Sequence, residues 1–191
     1  MRRIAILFIA LCVCIFIAGR LSYAADTTPA KGEVFPDITL PVPEKDSEKE
    51  YLGLTGKGTF RISQVKADLL IIEIFSMYCP YCQREAPIVN DLYQAINKNT
   101  GLKEKIRMIG IGAGNTAFEI DIFRNQYSIP FPLFADDSFT VHKKVGEVRT
   151  PHFFVLKMNT DGSNKLIYSK VGTIQEANQF LKLLLDEAGL K

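Results

Sequence analysis

Tryptophan is absent from the 191 residues of this chain, histidine occurs twice, and cysteine occurs only four times. A structural zinc site needs four ligands, so this small supply of histidine and cysteine argues against a metal cluster. The net charge of +2 provides no basic field of the kind that attracts nucleic acid. With 47% hydrophobic residues the chain is too apolar for intrinsic disorder, and its length suits one globular domain.

The first 24 residues have the composition of a secretory leader. Two arginines follow Met1, an apolar run fills residues 4–19, and the small residues Ser22 and Ala24 stand at positions −3 and −1 of a cleavage site. The run is shorter than the roughly 20 residues of a membrane-spanning helix, so we expect cleavage, with an uncleaved anchor as the alternative. The sequence therefore predicts an exported periplasmic or cell-envelope protein, with a flexible segment over 25–32 and a domain over 33–191.

Cleavage would leave two cysteines, in the motif Cys79-Pro80-Tyr81-Cys82. Outside the cytoplasm thiols can be oxidised, and disulfides persist. A disulfide across so short a loop constrains the unfolded chain very little, which argues against a purely structural role. The spacing favours redox chemistry at this pair, and an inert disulfide or a metal site are the alternatives.

A strand, a turn and a helix are predicted around this motif. Residues 68–75 form a nearly continuous apolar run typical of a central buried strand, and residues 83–97 repeat apolar side chains at helical spacing. Cys79 would lie near the helix N-terminus, where the unpaired backbone N–H groups stabilise a thiolate. Cys82 would lie in the first turn, close enough to attack a disulfide on Cys79, and Pro87 should kink the helix or weaken its first turns.

Glu73 interrupts the apolar strand, six residues before Cys79. Burial disfavours a charged carboxyl strongly, so a buried Glu73 should have a raised pKa and could handle a proton for the thiols. The alternative is a solvated position at the edge of the sheet.

The rest of the chain favours further strands and one helix. We predict short strands over 32–40 and 59–62 around a charged loop over 44–58, hairpin strands over 153–157 and 165–171 joined by a glycine turn, and a helix over 176–188.

These segments resemble the thioredoxin superfamily. The resemblance rests on Glu73-Ile-Phe-Ser-Met-Tyr-Cys-Pro-Tyr-Cys-Gln-Arg-Glu-Ala-Pro87 and on Arg149-Thr150-Pro151, which is similar to the cis-proline loop of that superfamily. Residues 35–40 and 106–136 are similar to the N-terminal strand and the inserted αβ segment of the redoxin branch, which includes peroxiredoxins and exported TlpA/ResA-like reductases. The resemblance implies an α/β, thioredoxin-like fold, a mixed central sheet flanked by helices with an N-terminal strand extension and that inserted segment.

The resemblance also implies an exported thiol–disulfide oxidoreductase that needs no cofactor and no metal. Cys79 would be the nucleophile, Cys82 the resolving thiol and Glu73 the proton acceptor. The residues expected to bind the substrate backbone are Pro80, Tyr81, Arg149, Thr150 and Pro151. We expect a monomer that acts on protein thiol or disulfide substrates, with a separate soluble or membrane-embedded redox partner and no nucleic acid.

Several departures separate the chain from neighbouring branches. Tyr78 stands where thioredoxins commonly have tryptophan, and the glutathione-binding segment of glutaredoxins is missing. Ile74 replaces the proline of the peroxiredoxin motif, so a peroxidase is an outside alternative. Because His152 could be a copper ligand, copper binding is a further alternative, although copper chaperones of this fold use a longer cysteine spacing. The alternative from another class is a non-catalytic binding module that holds a metal or a partner protein through the same cysteines.

Overall fold

The computed structural model describes residues 28–190, so the leader predicted over residues 1–24 lies outside the described part. The strands there are β1 (Thr39–Pro41), β2 (Thr59–Arg61), β3 (Leu69–Phe75), β4 (Ile106–Ala113), β5 (Leu133–Asp136), β6 (His152–Lys157) and β7 (Lys165–Val171). The helices there are α1 (Asp46–Leu52), α2 (Pro80–Lys98), α3 (Ala117–Tyr127), α4 (Thr140–Lys144) and α5 (Ala177–Ala188).

Five of the strands form a mixed central sheet in the order β5-β4-β3-β6-β7, and β1 and β2 form a separate antiparallel pair. β4 runs parallel to both β3 and β5, whereas β6 runs antiparallel to both β3 and β7. This topology confirms the predicted α/β, thioredoxin-like fold with a mixed central sheet flanked by helices.

The side chains of β3 alternate between two apolar layers. On one face Leu69, Ile71 and Phe75 pack with α2, α3 and α5. On the other face Leu70, Ile72 and Ile74 pack with the β1–β2 pair, α1 and α4. Because both faces of the strand are covered, every residue of β3 is buried, which explains the continuous apolar run in the sequence.

Helix α2 begins three residues before the predicted start at residue 83, and Cys79 is its N-cap. Pro80 stands at the first helical position, where a missing N–H costs nothing and the fixed φ of proline suits the helix. The helix continues without interruption through Pro87 to Lys98. Its buried stripe consists of Cys82, Glu85, Ala86, Val89, Leu92 and Ile96.

The segment 44–58 is not the continuous loop that its charge predicts, because it contains α1. This helix has seven residues, of which only Leu52 is buried, and it ends at Gly53 in the left-handed conformation with φ 68°. With a single buried side chain it leaves no apolar periodicity in the sequence, which is why the pattern missed it.

Helix α4 was also not predicted, because its five residues are too few to show a period. A carboxylate from the end of β5 stabilises its first turn. The Asp136 side chain accepts hydrogen bonds from the backbone N–H groups of Val141 and His142, at 3.0 and 2.8 Å. Asp136 is itself buried, so α4 is fixed firmly to the sheet.

The N-terminal segment pairs less regularly than predicted. The strand expected over 32–40 is reduced to an isolated bridge between Val34 and Lys165 and to β1. Ahead of that bridge the Gly32 N–H donates to the Leu166 carbonyl at 2.7 Å. No helix within residues 28–190 is both long and apolar enough to cross a bilayer.

Candidate active site around Cys79 and Cys82

Side chains from two other elements hold the loop that carries Cys79. The Met77 N–H donates to Oδ1 of Asn115 at 2.9 Å, and Nε2 of Gln83 donates to the Met77 carbonyl at 2.7 Å. Asn115 is fully buried and lies between β4 and α3. Both the backbone N–H and the carbonyl of Met77 are therefore hydrogen-bonded, which fixes the position of Cys79 relative to the sheet.

The next residue of this loop, Tyr78, is hydrogen-bonded to the start of α3. The Tyr78 hydroxyl donates a hydrogen bond to the Glu119 carboxylate, and Glu119 also accepts from the Thr116 N–H at 2.7 Å at the start of α3. The inserted αβ segment thus contacts the CxxC loop at two consecutive residues.

Cys79 is half-buried and faces the cis-proline loop. Its Sγ atom lies 3.4 Å from the Thr150 carbonyl oxygen, and the Thr150–Pro151 peptide bond is cis. Burial by itself raises the pKa of Cys79. Hydrogen bonds from the Thr150 side chain, from Cys82 and from the Tyr81 backbone outweigh that effect and hold the pKa of the thiol below its usual range.

Cys82 is fully buried in the first turn of α2, and no disulfide joins it to Cys79. Burial raises the pKa of Cys82 far above its usual range, and the nearby charges of Glu73 and Cys79 raise it further. The pKa values of the two thiols are therefore shifted in opposite directions, so Cys79 loses its proton more easily than Cys82.

Glu73 lies in the middle of the sheet, between Gly110 of β4 and Phe153 of β6. It is buried, so the alternative of a solvated sheet edge is wrong. Burial raises the pKa of Glu73 to about 8, and the neighbouring charges of Glu85 and Cys79 contribute to the rise. A carboxyl of this kind changes its protonation near the pH at which thiols exchange.

Glu85 is a second buried acid that the sequence interpretation missed. It lies one helical turn after Cys82, accepts a hydrogen bond from the Ile174 N–H, and has a pKa that burial raises to about 7. The available signal was its position on the apolar stripe of α2, where Val89 follows four residues later. Two buried carboxyls, rather than one, therefore interact in this part of the core, and Glu73 of the pair also acts on the Cys82 thiol.

The residues predicted to bind substrate lie around Cys79. Tyr81 is 59% exposed, and the guanidinium of Arg84 lies 4.6 Å from the centre of its ring. Arg149 is exposed and immediately precedes Thr150, so it lies at the rim of the site.

His152 does not reach the cysteines. It shares a face of β6 with Phe154, at a ring distance of 4.3 Å, whereas Phe153 faces the layer that contains Cys82. Its Nε2 atom is 2.9 Å from Oγ of Ser169, and burial lowers the pKa of the imidazole to about 4. Across residues 28–190 no three His, Cys, Asp or Glu side chains are grouped in a way that could hold a metal ion.

Comparisons with known proteins identify relatives of this fold. Residues 31–176 match the AhpC/TSA family. The chain is 23% identical over 160 residues to the thiol-disulfide oxidoreductase ResA of Geobacillus thermodenitrificans (strain NG80-2), covering 84% of this chain and 81% of the relative. It is 22% identical over 180 residues to ResA of Geobacillus kaustophilus (strain HTA426), covering 94% and 92%.

Solved structures share the same architecture. StoA from Bacillus subtilis matches with a TM-score of 0.55 at 18% sequence identity, covering 82% of this chain and 99% of that one. A secreted thiol-disulfide isomerase from Corynebacterium glutamicum matches with a TM-score of 0.58 at 15% identity, covering 81% and 85%. At these identities the likeness is one of fold.

Proposed function

The chain belongs to the AhpC/TSA family, and from that membership we propose that it is an extracytoplasmic thiol–disulfide oxidoreductase acting on protein thiols or disulfides. The observation that carries the proposal is the contrast between its two thiols. Cys79 is half-buried with a lowered pKa, and Cys82 is fully buried with a raised pKa. Such a pair suits a nucleophile and a resolving group that act one after the other.

In the first step Cys79 is the nucleophile. Its thiolate attacks one sulfur of a substrate disulfide, so that a bond between Cys79 and the substrate forms and the substrate S–S bond breaks. The second substrate sulfur leaves as a thiolate and takes up a proton from water. The extended substrate backbone would lie beside Thr150 and Pro151, and Pro80, Tyr81 and Arg149 would border it.

In the second step Cys82 resolves the mixed disulfide. Its buried thiol must first lose a proton, and a carboxylate whose pKa lies near the working pH is a suitable acceptor. Glu73 and Glu85, with pKa values of about 8 and about 7, fit this requirement. The Cys82 thiolate then attacks the Cys79 sulfur, so that the Cys79–Cys82 disulfide forms and the bond between Cys79 and the substrate breaks. The substrate sulfur leaves as a thiolate and takes up a proton from the protonated carboxyl or from water.

Each cycle transfers two electrons and two protons to the substrate. The same steps run in reverse when the oxidised pair meets a substrate dithiol, and a separate redox partner returns the protein to its starting state. The leader-like composition of residues 1–24 supports action outside the cytoplasm, where a Cys79–Cys82 disulfide can persist. We propose that the protein acts as a monomer and binds no nucleic acid.

Trapping of the mixed disulfide tests this proposal. With a cysteine-containing peptide disulfide, Cys82→Ser should stop at a stable adduct on Cys79, Cys79→Ser should form none, and the wild type should turn over. Mass spectrometry of the adduct identifies the cysteine. The absence of any exchange by the wild type would leave the non-catalytic binding module as the better description.

A further inference from the structure

A groove of about 560 Å³ opens beside Cys79. Tyr78 forms one side, Phe139 and His142 form another, and the cis-proline loop from Glu147 to Thr150 forms a third. Thr150 also contacts the Cys79 sulfur at 3.4 Å. The groove is therefore within reach of a polypeptide that is held by a disulfide to Cys79.

Two of these three sides, α4 and the cis-proline loop, are hydrogen-bonded to each other before any substrate arrives. Nε2 of His142, in α4, lies 2.8 Å from the Val148 carbonyl of the cis-proline loop, and the Glu147 N–H donates to the His142 carbonyl at 2.9 Å. Because α4 is anchored by a buried carboxylate, the groove is a preformed feature. Binding to it costs little ordering of the protein.

Phe139 is held in an uncommon conformation at the side of this groove. Its φ of 57° lies in the left-handed region, which bulky residues rarely adopt and which is found mostly at functional sites. A Cβ atom at Gly114 would overlap the Phe139 ring, so the glycine is what lets the ring lie against β4. The ring packs 5.6 Å from that of His142 and stays 41% exposed.

Exposed aromatic side chains gather at this end of the molecule. Within residues 28–190 they are Tyr78, Tyr81, Phe118 and Phe139. Tyr78 and Tyr81 flank the nucleophile, Phe139 borders the groove, and Phe118 adjoins the Glu119 that binds Tyr78. Of these four residues, Tyr78 and Phe139 lie on two sides of the same groove. The rim carries the opposite charges of Glu147 and Arg149, so the groove favours an uncharged side chain.

We propose that the groove between Tyr78, Phe139 and His142 binds an aromatic or large aliphatic side chain of the polypeptide that is exchanging with Cys79. This inference rests on the proposed function and specifies its substrates, which are extended polypeptides with an apolar residue near the reactive cysteine. Phe139 is then a residue that determines specificity, and the cysteines and buried acids are not.

A positional scan of peptide substrates tests the inference. In a Cys82→Ser background, Cys79 reacts with ten-residue peptides whose single cysteine is joined to thionitrobenzoate. Attack forms the Cys79–peptide disulfide and releases the coloured thiolate, whose absorbance gives the rate. Phenylalanine is placed in turn at each of three positions on either side of the cysteine, with serine elsewhere. One position should raise the rate by about tenfold over the all-serine peptide.

Three variants test whether the groove is the cause. Phe139→Asn removes the ring and introduces a residue that tolerates φ above zero. In this variant the phenylalanine peptide should react at about the same rate as the all-serine peptide. Phe118→Asn removes an exposed aromatic outside the groove and should keep the advantage. Phe139→Gly repeats the first test with a residue free of backbone strain, and circular dichroism verifies the folding of each variant.

The results separate this inference from the proposed function. If all peptides react at the same rate, or if Phe139→Asn and Phe139→Gly keep the advantage, the groove does not select substrates although the exchange activity stands. If no peptide reacts with Cys79, the proposed function itself is overturned.

Discussion

The backbone N–H of Met77 donates a 2.9 Å hydrogen bond to the side chain of Asn115, two residues before the candidate nucleophile. Asn115 belongs to the connection between β4 and α3, which is far from Cys79 in sequence. Cys79 is thus positioned by the inserted αβ segment as well as by its own helix.

Removing this bond should weaken both stability and the placement of Cys79. Asn115→Ala leaves the Met77 N–H without its partner, and we expect the free energy of unfolding to fall by about 1–3 kcal/mol. The alkylation rate of Cys79 should change as well. Asn97→Ala removes a comparable 2.9 Å bond to the Tyr93 carbonyl and should leave that rate unaltered. Denaturant titration and alkylation kinetics measure the two effects, and equal alkylation rates in both variants would contradict a positioning role for Asn115.

The two thiols should differ in their reaction with an alkylating agent. In the reduced protein near neutral pH, Cys79 should be modified well before Cys82, because only the Cys79 pKa is lowered and Cys82 is buried. The alkylation rate at Cys79 should rise with pH, and the midpoint of this rise should lie below 9.0, the pKa of an unperturbed thiol. Peptide mapping after short exposure measures both rates, with Cys79→Ser and Cys82→Ser as controls. Faster reaction at Cys82 would reverse the assigned roles.

Glu73 should make stability depend on pH in a defined direction. Its pKa is 4.5 without burial and about 8 in the folded protein, so between these values the unfolded state binds fewer protons. The free energy of unfolding therefore falls as the pH rises through this window, by up to about 1.4 kcal/mol per unit for this group. Glu73→Gln removes that contribution, so its stability relative to the wild type should increase from pH 4.5 to pH 8. Glu50→Gln, at an exposed position of α1, controls for the loss of charge, and a constant difference across the window would argue against a buried, protonated Glu73.

The paired acids should also control resolution of the mixed disulfide. Glu73→Gln removes a proton acceptor next to Cys82 and should slow release of the substrate near neutral pH by about tenfold or more, leaving the attack by Cys79 largely intact. Glu85→Gln removes one of the charges that raise the Glu73 pKa and should move the pH midpoint of resolution downward. Rapid-quench kinetics with a preformed adduct separate the two steps. Resolution at the wild-type rate in Glu73→Gln would exclude it as the acceptor.

The CxxC motif, its strand and its helix could be predicted because each leaves a strong local signal. The run that became β3 is apolar throughout since both of its faces are covered, and the helical period of α2 is set by one buried stripe. Glu85 was missed because periodicity identifies apolar residues on that stripe and says nothing about an acid among them. Its effect arises only when the fold brings it beside Glu73.

Features that depend on long-range contacts could not be predicted from the pattern. Phe139 has a positive φ and its ring packs against Gly114, which is distant in the chain, and nothing in its neighbouring sequence specifies a positive φ. The hydrogen bond between Met77 and Asn115 likewise joins residues 38 positions apart in the chain. Such contacts depend on the tertiary fold and leave no signal in the local sequence.

The central sheet separates Glu73 and Cys82 from the apolar residues at the bottom of the groove. Glu73 and Cys82 lie on the face covered by α2 and α5, whereas Ala113 and Val148 of the groove pack in the opposite layer. Substitutions of the groove residues in that layer therefore leave the surroundings of Glu73 and Cys82 in place. Groove residues of that layer could therefore be exchanged to change the side-chain preference while the same redox pair is kept.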